Sequence, residues 1–314
     1  MGITEPGYSE NLVDRIATNL NLHFTQSSDV NIPEGPFYST LRIRLYVNGT
    51  NQLCTYELTW SPLTATIKTN AFALDWAPEQ VSSRQAFNNT LKIGLMDQSL
   101  SDVVLYVGKF RPMIQLPITN AIFRIVSDSS PNDPIAILTH SLAGYMVIDT
   151  LSSMYDSDSG KGVAHNYAEH VRQIFMMANQ MPILNLSDQT NFVLNCGGIS
   201  GKLEHILADQ SFTSAEPNHI QIVAFSDPND LLSYKLRQCD IQQESEPMVN
   251  GMPGQQQPKL IFPSNVDLDG FNVTYTVNPW SILGVFSWPV SAHNDWWTDS
   301  AVPGFLAFGH QTTN

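Results

Sequence analysis

The stretch that decides the fold is Ile135-Ala-Ile-Leu-Thr-His-Ser-Leu-Ala-Gly-Tyr-Met-Val-Ile-Asp149, in which an apolar strand pattern runs into a serine and then into a helix pattern. A serine at such a junction is typical of a tight strand-to-helix turn that presents a nucleophilic hydroxyl. The turn strains the serine backbone and requires small residues two positions before and after it. These positions hold Thr139 and Ala143, so the sequence departs from Gly-x-Ser-x-Gly at Thr139. The alternative is that Ser141 only caps the helix.

The segments on both sides of this stretch alternate between helical and apolar patterns. Before it, the sequence predicts a helix over 9–22, a loop with Pro33 and Pro36, a hairpin or two neighbouring strands over 41–60, weak helical character over 80–100, a short apolar segment over 101–108 and a helix over 114–126. After it, we predict a helix over 167–173, a strand in the run 174–184 that ends near Asn179 and Gln180, strands over 220–225 and 270–277, and a final helix over 301–308. This alternation is typical of an α/β protein with a mainly parallel central sheet and helices on both faces.

Length and composition limit the classes of protein to which this chain can belong. The 314 residues suffice for a large core and no linker divides them, so we predict a single domain over 1–314 with an irregular insertion at about 242–263. The 29 acidic and 15 basic side chains give a net charge of -14 without a basic stripe, so no nucleic-acid partner is expected. Three cysteines without a Cys-x-x-Cys pair argue against a disulfide scaffold and a cysteine-based zinc site.

Targeting and cofactor motifs are not recognised. The N-terminus lacks a basic patch followed by an apolar run, and no stretch approaches the roughly 20 apolar residues that span a bilayer. We therefore expect a soluble protein without a transmembrane segment, either cytoplasmic or exported without a recognisable signal peptide. Neither Gly-x-Gly-x-x-Gly nor Gly-x-x-x-x-Gly-Lys occurs, so no nucleotide cofactor is expected, and the chemistry inferred below requires no metal.

Three candidate catalytic residues follow one another in the order serine, acid, histidine. A serine hydroxyl is a poor nucleophile unless a base takes its proton and an acid orients that base. Ser141 lies at the predicted turn, Asp230 follows the strand over 220–225, and His293 follows the last predicted strand. Asp227 is an alternative acid, although Asp-Pro-Asn is also well suited to a turn or a helix cap.

The segments around these residues resemble those of α/β-hydrolases. Thr-His-Ser-Leu-Ala-Gly at 139–144, Phe-Ser-Asp-Pro-Asn-Asp-Leu-Leu-Ser-Tyr at 225–234 and Ala-His-Asn-Asp-Trp-Trp at 292–297 are similar to the nucleophile, acid and histidine segments of bacterial lipase-like or esterase-like serine hydrolases. The stretches at 56–64 and 176–182 are similar to the same group. The resemblance implies an α/β-hydrolase fold and cleavage of small-molecule or lipid carboxylic esters by Ser141, His293 and Asp230. It favours Asp230 over Asp227 because the acid of the family precedes a short apolar pair.

The resemblance also implies where an oxyanion is bound. In the family, one donor is the backbone N–H after the nucleophile, which is Leu142 here. The other follows His-Gly at the end of the first core strand, and Met1-Gly-Ile-Thr-Glu-Pro is similar to the stretch after that His-Gly. The sequence is then expected to begin just past the first strand, either because the numbering starts inside a longer polypeptide or because that strand is missing. Met1, Gly2 or Ser61 is the candidate second donor. Candidate substrate-side residues are Ser61, Asn179 and Gln180.

A competing interpretation belongs to another class of function. A catalytically silent α/β-hydrolase domain would serve as a binding or scaffold module. Thr139 in the turn and the incomplete start favour this interpretation, whereas the order of the three candidate catalytic residues favours an enzyme.

Overall fold

The computed structural model describes residues 6–34, 37–188, 199–207, 218–236, 266–277, 281–282, 286–287 and 289–308. The chain packs into two compact units. The first holds Met1–Ala121, Asn229–Leu231 and Thr276–Asn314, and the second holds Ile122–Pro228 and Leu232–Tyr275. A single domain over 1–314 stays a prediction, and the insertion predicted at 242–263 lies outside the described residues.

An antiparallel sheet in the order β1-β2-β3 belongs to the first unit. Strands β2 (Phe37–Asn48) and β3 (Asn51–Thr59) form the hairpin predicted from their alternating pattern. Gly49 turns the chain between them at φ 62°, a left-handed conformation that glycine adopts at little cost. Strand β3 ends just before Pro62, which begins the next helix. The hairpin prediction is confirmed.

Strand β1 (His23–Glu34) lies where the sequence predicts a loop. It pairs antiparallel with β2, from His23 opposite Val47 to Glu34 opposite Phe37. Most of its side chains are exposed, so the segment lacks the regular alternation of apolar and polar residues that identifies a half-buried strand. Pro33 is tolerated because β1 is an edge strand of this sheet. The loop prediction over β1 is therefore wrong.

A bidentate ion pair between Asp29 and Arg42 joins β1 to β2. Arg42 donates from Nε and Nη2 to the two carboxylate oxygens of Asp29, at 2.8 and 2.9 Å, and this hydrogen bonding holds the pKa of Asp29 below its usual value. The pair therefore stabilises the fold above the unfolded pKa of about 4, and the stabilisation is lost as the pH falls through the folded pKa. Because the pair is partly exposed, we expect Asp29→Asn to lower the free energy of unfolding by only about 0.5 kcal/mol at pH 7 and by less at pH 3. Urea unfolding at both pH values measures this, and an equal loss at both would contradict it.

Helices make up most of the rest of the first unit. Helix α1 (Glu10–Asn19) is the helix predicted over 9–22, and it buries Leu12 and Ala17. The helices after β3 are α2 (Pro62–Phe72), α3 (Pro78–Ser83), α4 (Ala86–Thr90), a π-helix (Leu91–Leu100), α5 (Ser101–Val107) and α6 (Arg111–Asp128). The residues of α6 from Ile122 onward belong to the second unit. The apolar segment at 101–108 is thus helical. The second half of the weak helical pattern at 80–100 is explained by the π-helix, whose i→i+5 hydrogen bonds shift side chains away from a 3.6-residue period.

The C-terminal elements also belong to the first unit. They are the short strands β8 (Ser281–Ile282) and β9 (Phe286–Ser287), helix α11 (Pro289–Asn294), a 3-10 turn (Asp295–Trp297) and helix α12 (Val302–Phe308). Helix α12 confirms the helix predicted over 301–308 and contacts α1. Arg15 of α1 donates to the carbonyl oxygen of Asp299 at 3.1 Å, which ties the chain just before α12 to α1.

A four-stranded parallel sheet in the order β4-β5-β6-β7 forms the second unit. Its strands are β4 (Ile135–His140), β5 (Val171–Met177), β6 (Asn218–Ser226) and β7 (Val266–Thr274). Ile174 lies opposite Ile222 at its centre, and both side chains are buried, as expected for strands covered on both faces. The α/β class predicted from the alternating patterns is confirmed.

The helices of the second unit follow the parallel strands. They are α7 (Ala143–Tyr155), α8 (Lys161–His170), α9 (Met181–Leu184) with a 3-10 turn (Asn185–Asp188), and α10 (Ile199–Leu207). Helices α7, α8 and α10 contact one another. Lys202 of α10 reaches Asp149 of α7 at 2.7 Å, and Asp149 is 1% exposed. This ion pair fixes α10 against the helix that follows Ser141.

Candidate active site

Ser141 follows directly after β4 in the second unit, and its backbone φ is +59°. This left-handed region costs a residue with a side chain about 1–2 kcal/mol, so surrounding contacts must hold it. The Ser141 N–H donates to the carbonyl oxygen of Met177, the last residue of β5, at 2.8 Å. Helix α7 begins two residues later at Ala143. The predicted strand, tight turn and helix are therefore present, and Ser141 is 5% exposed.

Two features of the second unit accommodate Thr139, the residue that departs from the turn pattern. The Thr139 hydroxyl donates to the carbonyl oxygen of Phe175 in β5 at 3.1 Å, which satisfies its polar group inside the sheet. Gly144, in the first turn of α7, leaves the space that the branched side chain needs, because a Cβ there would lie 3.1 Å from Thr139 Oγ1 and 3.4 Å from Met176 Cγ. The glycine that permits close strand-to-helix packing is thus Gly144.

We expect Gly144→Ala to be less favourable in the natural sequence than in a Thr139→Ala background. Alanine has a higher helix propensity than glycine by about 1 kcal/mol, but the new methyl group would press on Thr139 Oγ1. A double-mutant cycle measured by urea unfolding is expected to give a coupling energy of about 0.5–1.5 kcal/mol. Strictly additive effects would show that the two positions do not share this space.

Leu142, the candidate oxyanion donor, lies between Ser141 and α7 and is 2% exposed. Backbone N–H groups in the first turn of a helix have no acceptor within the helix, and the positive end of the helix dipole favours a negative charge there. Met1 and Gly2, the other candidate donors, lie outside the described residues. Ser61, in the first unit, is buried at the start of α2, where its carbonyl oxygen accepts from Thr64 N–H at 3.1 Å.

Asp230 and His293 come together within the first unit. Asp230 Oδ2 lies 2.8 Å from His293 Nδ1, and both side chains are fully buried. Because a carboxylate accepts a hydrogen bond from Nδ1–H, this contact favours the tautomer in which Nε2 carries the lone pair. Such a ring can take a proton at Nε2 while the carboxylate stabilises the resulting imidazolium. The pair has the chemistry of a general base and its orienting acid.

Local packing holds the histidine. His293 lies near the C-terminal end of α11. The preceding residue, Ala292, is 2% exposed, and Trp296, three positions after His293, is 0% exposed. Trp297, at the end of the 3-10 turn, packs edge-on against Tyr8 with ring centroids 4.9 Å apart. The aromatic residues after His293 therefore anchor its helix in the core of the first unit.

Asp227, the alternative acid, lies in the second unit and is 2% exposed. Its carbonyl oxygen accepts from Ser233 Oγ at 3.3 Å across the turn that contains Pro228. The carboxylate that bonds His293 Nδ1 is that of Asp230. This geometry agrees with the preference for Asp230, whose catalytic role stays a prediction.

Asn179 ties together the carboxyl ends of the parallel strands in the second unit, a role that sequence reasoning does not reveal. Its N–H donates to Phe225 O at the end of β6, and its side-chain amide donates to Tyr234 O at 2.8 Å. Its carbonyl oxygen accepts from Tyr234 N–H at 2.7 Å. Gln180, next in the chain, is 2% exposed, and its Oε1 has no hydrogen-bond donor. Asn179 thus acts structurally here, whereas Gln180 presents an unpaired amide oxygen.

Among the described residues, no three or more His, Cys, Asp or Glu side chains are grouped so that they could hold a metal ion. None of the helices in the described ranges combines the length and apolar character needed to cross a membrane.

No family model, curated protein or solved structure matches the chain. The resemblance to α/β-hydrolases therefore stays a prediction from the segments around Ser141, Asp230 and His293.

Proposed function

We propose that this protein is a serine hydrolase that cleaves carboxylic esters, with Ser141 as its nucleophile. The observation that carries the proposal is the backbone of Ser141, a non-glycine residue at φ +59° between a parallel strand and a helix. A strained serine at the carboxyl end of a parallel strand is typical of nucleophiles in α/β-hydrolases. We propose the finer fold, an α/β-hydrolase built on the parallel sheet, on the same ground.

In the proposed mechanism, Ser141 Oγ attacks the acyl carbonyl carbon while His293 Nε2 takes the hydroxyl proton. The Asp230 carboxylate holds the imidazolium through Nδ1. The Leu142 N–H stabilises the oxyanion of the tetrahedral intermediate. The intermediate collapses to an acyl-enzyme as the alcohol leaves with the proton from His293. Water then attacks the acyl carbon by the same route and releases a carboxylic acid and Ser141.

Covalent labelling tests the assignment of the nucleophile. A fluorophosphonate probe reacts with an activated serine, which forms the P–O bond as fluoride leaves. We expect stoichiometric labelling of the full chain, located at Ser141 by peptide mass spectrometry and prevented by Ser141→Ala. Short p-nitrophenyl esters are expected to be hydrolysed by the same preparation. Labelling at another serine, or none together with no ester turnover, would overturn the proposal.

The burial of Ser141, which is 5% exposed, is the observation that favours a second candidate function. A hydroxyl with so little access to water is also expected in a silent domain that binds a partner without chemistry. The labelling experiment separates the two functions because a silent domain leaves the probe intact. A folded chain that shows no labelling and no ester turnover would exclude the hydrolase and agree with the silent domain.

A further inference from the structure

The first unit contains a cavity of about 670 Å³ between α2, the π-helix and α5. This volume lies within the range of small-molecule sites in proteins, which are mostly apolar with a few polar groups. Its lining is mainly apolar and includes Ile67 and Phe72 of α2, Leu100 of the π-helix and Leu105 of α5. Val104 of α5, 63% exposed, is at its mouth. The cavity has the size and lining for a ligand with an alkyl chain.

The register of the π-helix explains which side chains reach the cavity. With i→i+5 hydrogen bonds, residues four and five positions apart share one face of the helix. Leu91 and Met96 form one such row, and Lys92 and Asp97 form the next, and all four line the cavity. Leu100, four positions after Met96, continues the same face. The π-helix therefore places a carboxylate in a mainly apolar wall.

The two lysines of the lining are already neutralised by neighbouring carboxylates. Lys68 Nζ, whose side chain is 3% exposed, lies 2.9 Å from Asp102 Oδ1. Lys92 Nζ, at the rim, lies 3.4 Å from Asp75 Oδ2. Both positive charges are thus paired with carboxylates.

Asp97 is different. It is 4% exposed, and Trp76 Nε1 donates to its Oδ2 at 3.0 Å. Within the described ranges, no cation lies within ion-pairing distance of this carboxylate and no donor other than Trp76 reaches it. Burial of an ionised carboxylate with one neutral donor is costly unless a cation joins it. Among the described residues that line the cavity, Asp97 is therefore a carboxylate without a cationic partner.

We propose that this cavity binds an alkylammonium ligand, with the ammonium group on Asp97 and the alkyl chain along the apolar wall. A primary ammonium supplies the positive charge and the donors that the second carboxylate oxygen lacks. Phe72 in the wall and Trp76 next to it, with ring centroids 5.8 Å apart, add aromatic surface that attracts a cation. The site goes beyond the proposed ester hydrolysis, since none of its lining residues belongs to the proposed triad, although the π-helix contacts the helix that carries His293.

Isothermal titration of the full chain with three eight-carbon probes tests the ligand class without any variant. Octylammonium, 1-octanol and octanoate share the alkyl chain and differ in the charge of the head group. We expect octylammonium to bind at least about 10-fold more tightly than 1-octanol, and octanoate to bind most weakly. Equal binding of all three, preference for octanoate or no binding of octylammonium would overturn the proposal.

Two variants then locate the site. Asp97→Asn keeps an acceptor for Trp76 but removes the charge, so octylammonium is expected to bind roughly 30-fold more weakly while 1-octanol changes by less than about 3-fold. Val104→Trp fills the mouth and is expected to weaken both ligands. Val107→Trp is the matched control, because Val107 is exposed on the same helix and does not line the cavity. Octylammonium binding that survives both Asp97→Asn and Val104→Trp would place it elsewhere and refute the site.

Discussion

Ser141→Ala is expected to lower kcat/KM for short p-nitrophenyl esters by about 10⁴–10⁶-fold, because the hydroxyl forms the bond to the acyl carbon and no neighbouring group replaces it. The residual rate would come from binding and oxyanion stabilisation alone. The loss should lie mainly in kcat, since the hydroxyl contributes most once the carbonyl carbon begins to react. Initial rates over an ester series and the amplitude of the p-nitrophenolate burst measure both quantities.

The matched control is Ser153→Ala on α7, the helix that begins after Ser141. Ser153 donates from Oγ to Asp149 O at 3.0 Å, which is a bond within the helix. Its loss is expected to change turnover by less than about 3-fold, because it forms no part of the reaction. Thermal unfolding of both variants checks that each chain is folded. Ester turnover in Ser141→Ala at the natural rate would remove Ser141 from the mechanism.

The elements with strong patterns are the ones that the sequence predicts. The apolar run at 135–140 followed by a helical pattern predicts β4, the turn and α7. Parallel strands that are buried on both faces have nearly continuous apolar sequences. The order of Ser141, Asp230 and His293 along the chain predicts candidates for a catalytic set. The contact between Asp230 and His293, 63 positions apart, agrees with that prediction.

The elements that sequence reasoning misses lack a local signal. Strand β1 is an edge strand with mostly exposed side chains, so neither burial nor propensity identifies it. The π-helix has no sequence period of its own, and the cavity around Asp97 follows from that register. The space for Thr139 depends on Gly144, five positions later in the chain but in contact across the turn. These features arise from packing between elements, which a single sequence does not display.

The choice between Asp230 and Asp227 is a case in which the sequence leaves two candidates and the geometry favours one. Both aspartates lie within four positions in the same turn after β6, so order and spacing do not separate them. The hydrogen bond to His293 Nδ1 at 2.8 Å belongs to Asp230. A carboxylate at this position keeps the proton on Nδ1 and so keeps Nε2 available as a base.

Asp230→Asn is therefore expected to lower kcat by about 10⁴-fold while the chain stays folded. An asparagine amide can donate to Nδ1, which favours the tautomer with the proton on Nε2, and that tautomer cannot take the proton of Ser141 Oγ. Because asparagine has nearly the shape of aspartate and still bonds the ring, the unfolding temperature is expected to change by only a few degrees. Fluorophosphonate labelling should slow together with ester turnover, since both need the base.

Asp227→Asn is the paired variant for this test. Asp227 is as deeply buried as Asp230, at 2% and 6% exposed, so both substitutions remove a charge from a similar degree of burial. If Asp230 is the acid, Asp227→Asn lowers kcat by less than about 10-fold, because it leaves the Nδ1 contact intact. The reverse result, full loss in Asp227→Asn with turnover retained in Asp230→Asn, would assign the acid to Asp227 and leave the Asp230–His293 pair a structural contact.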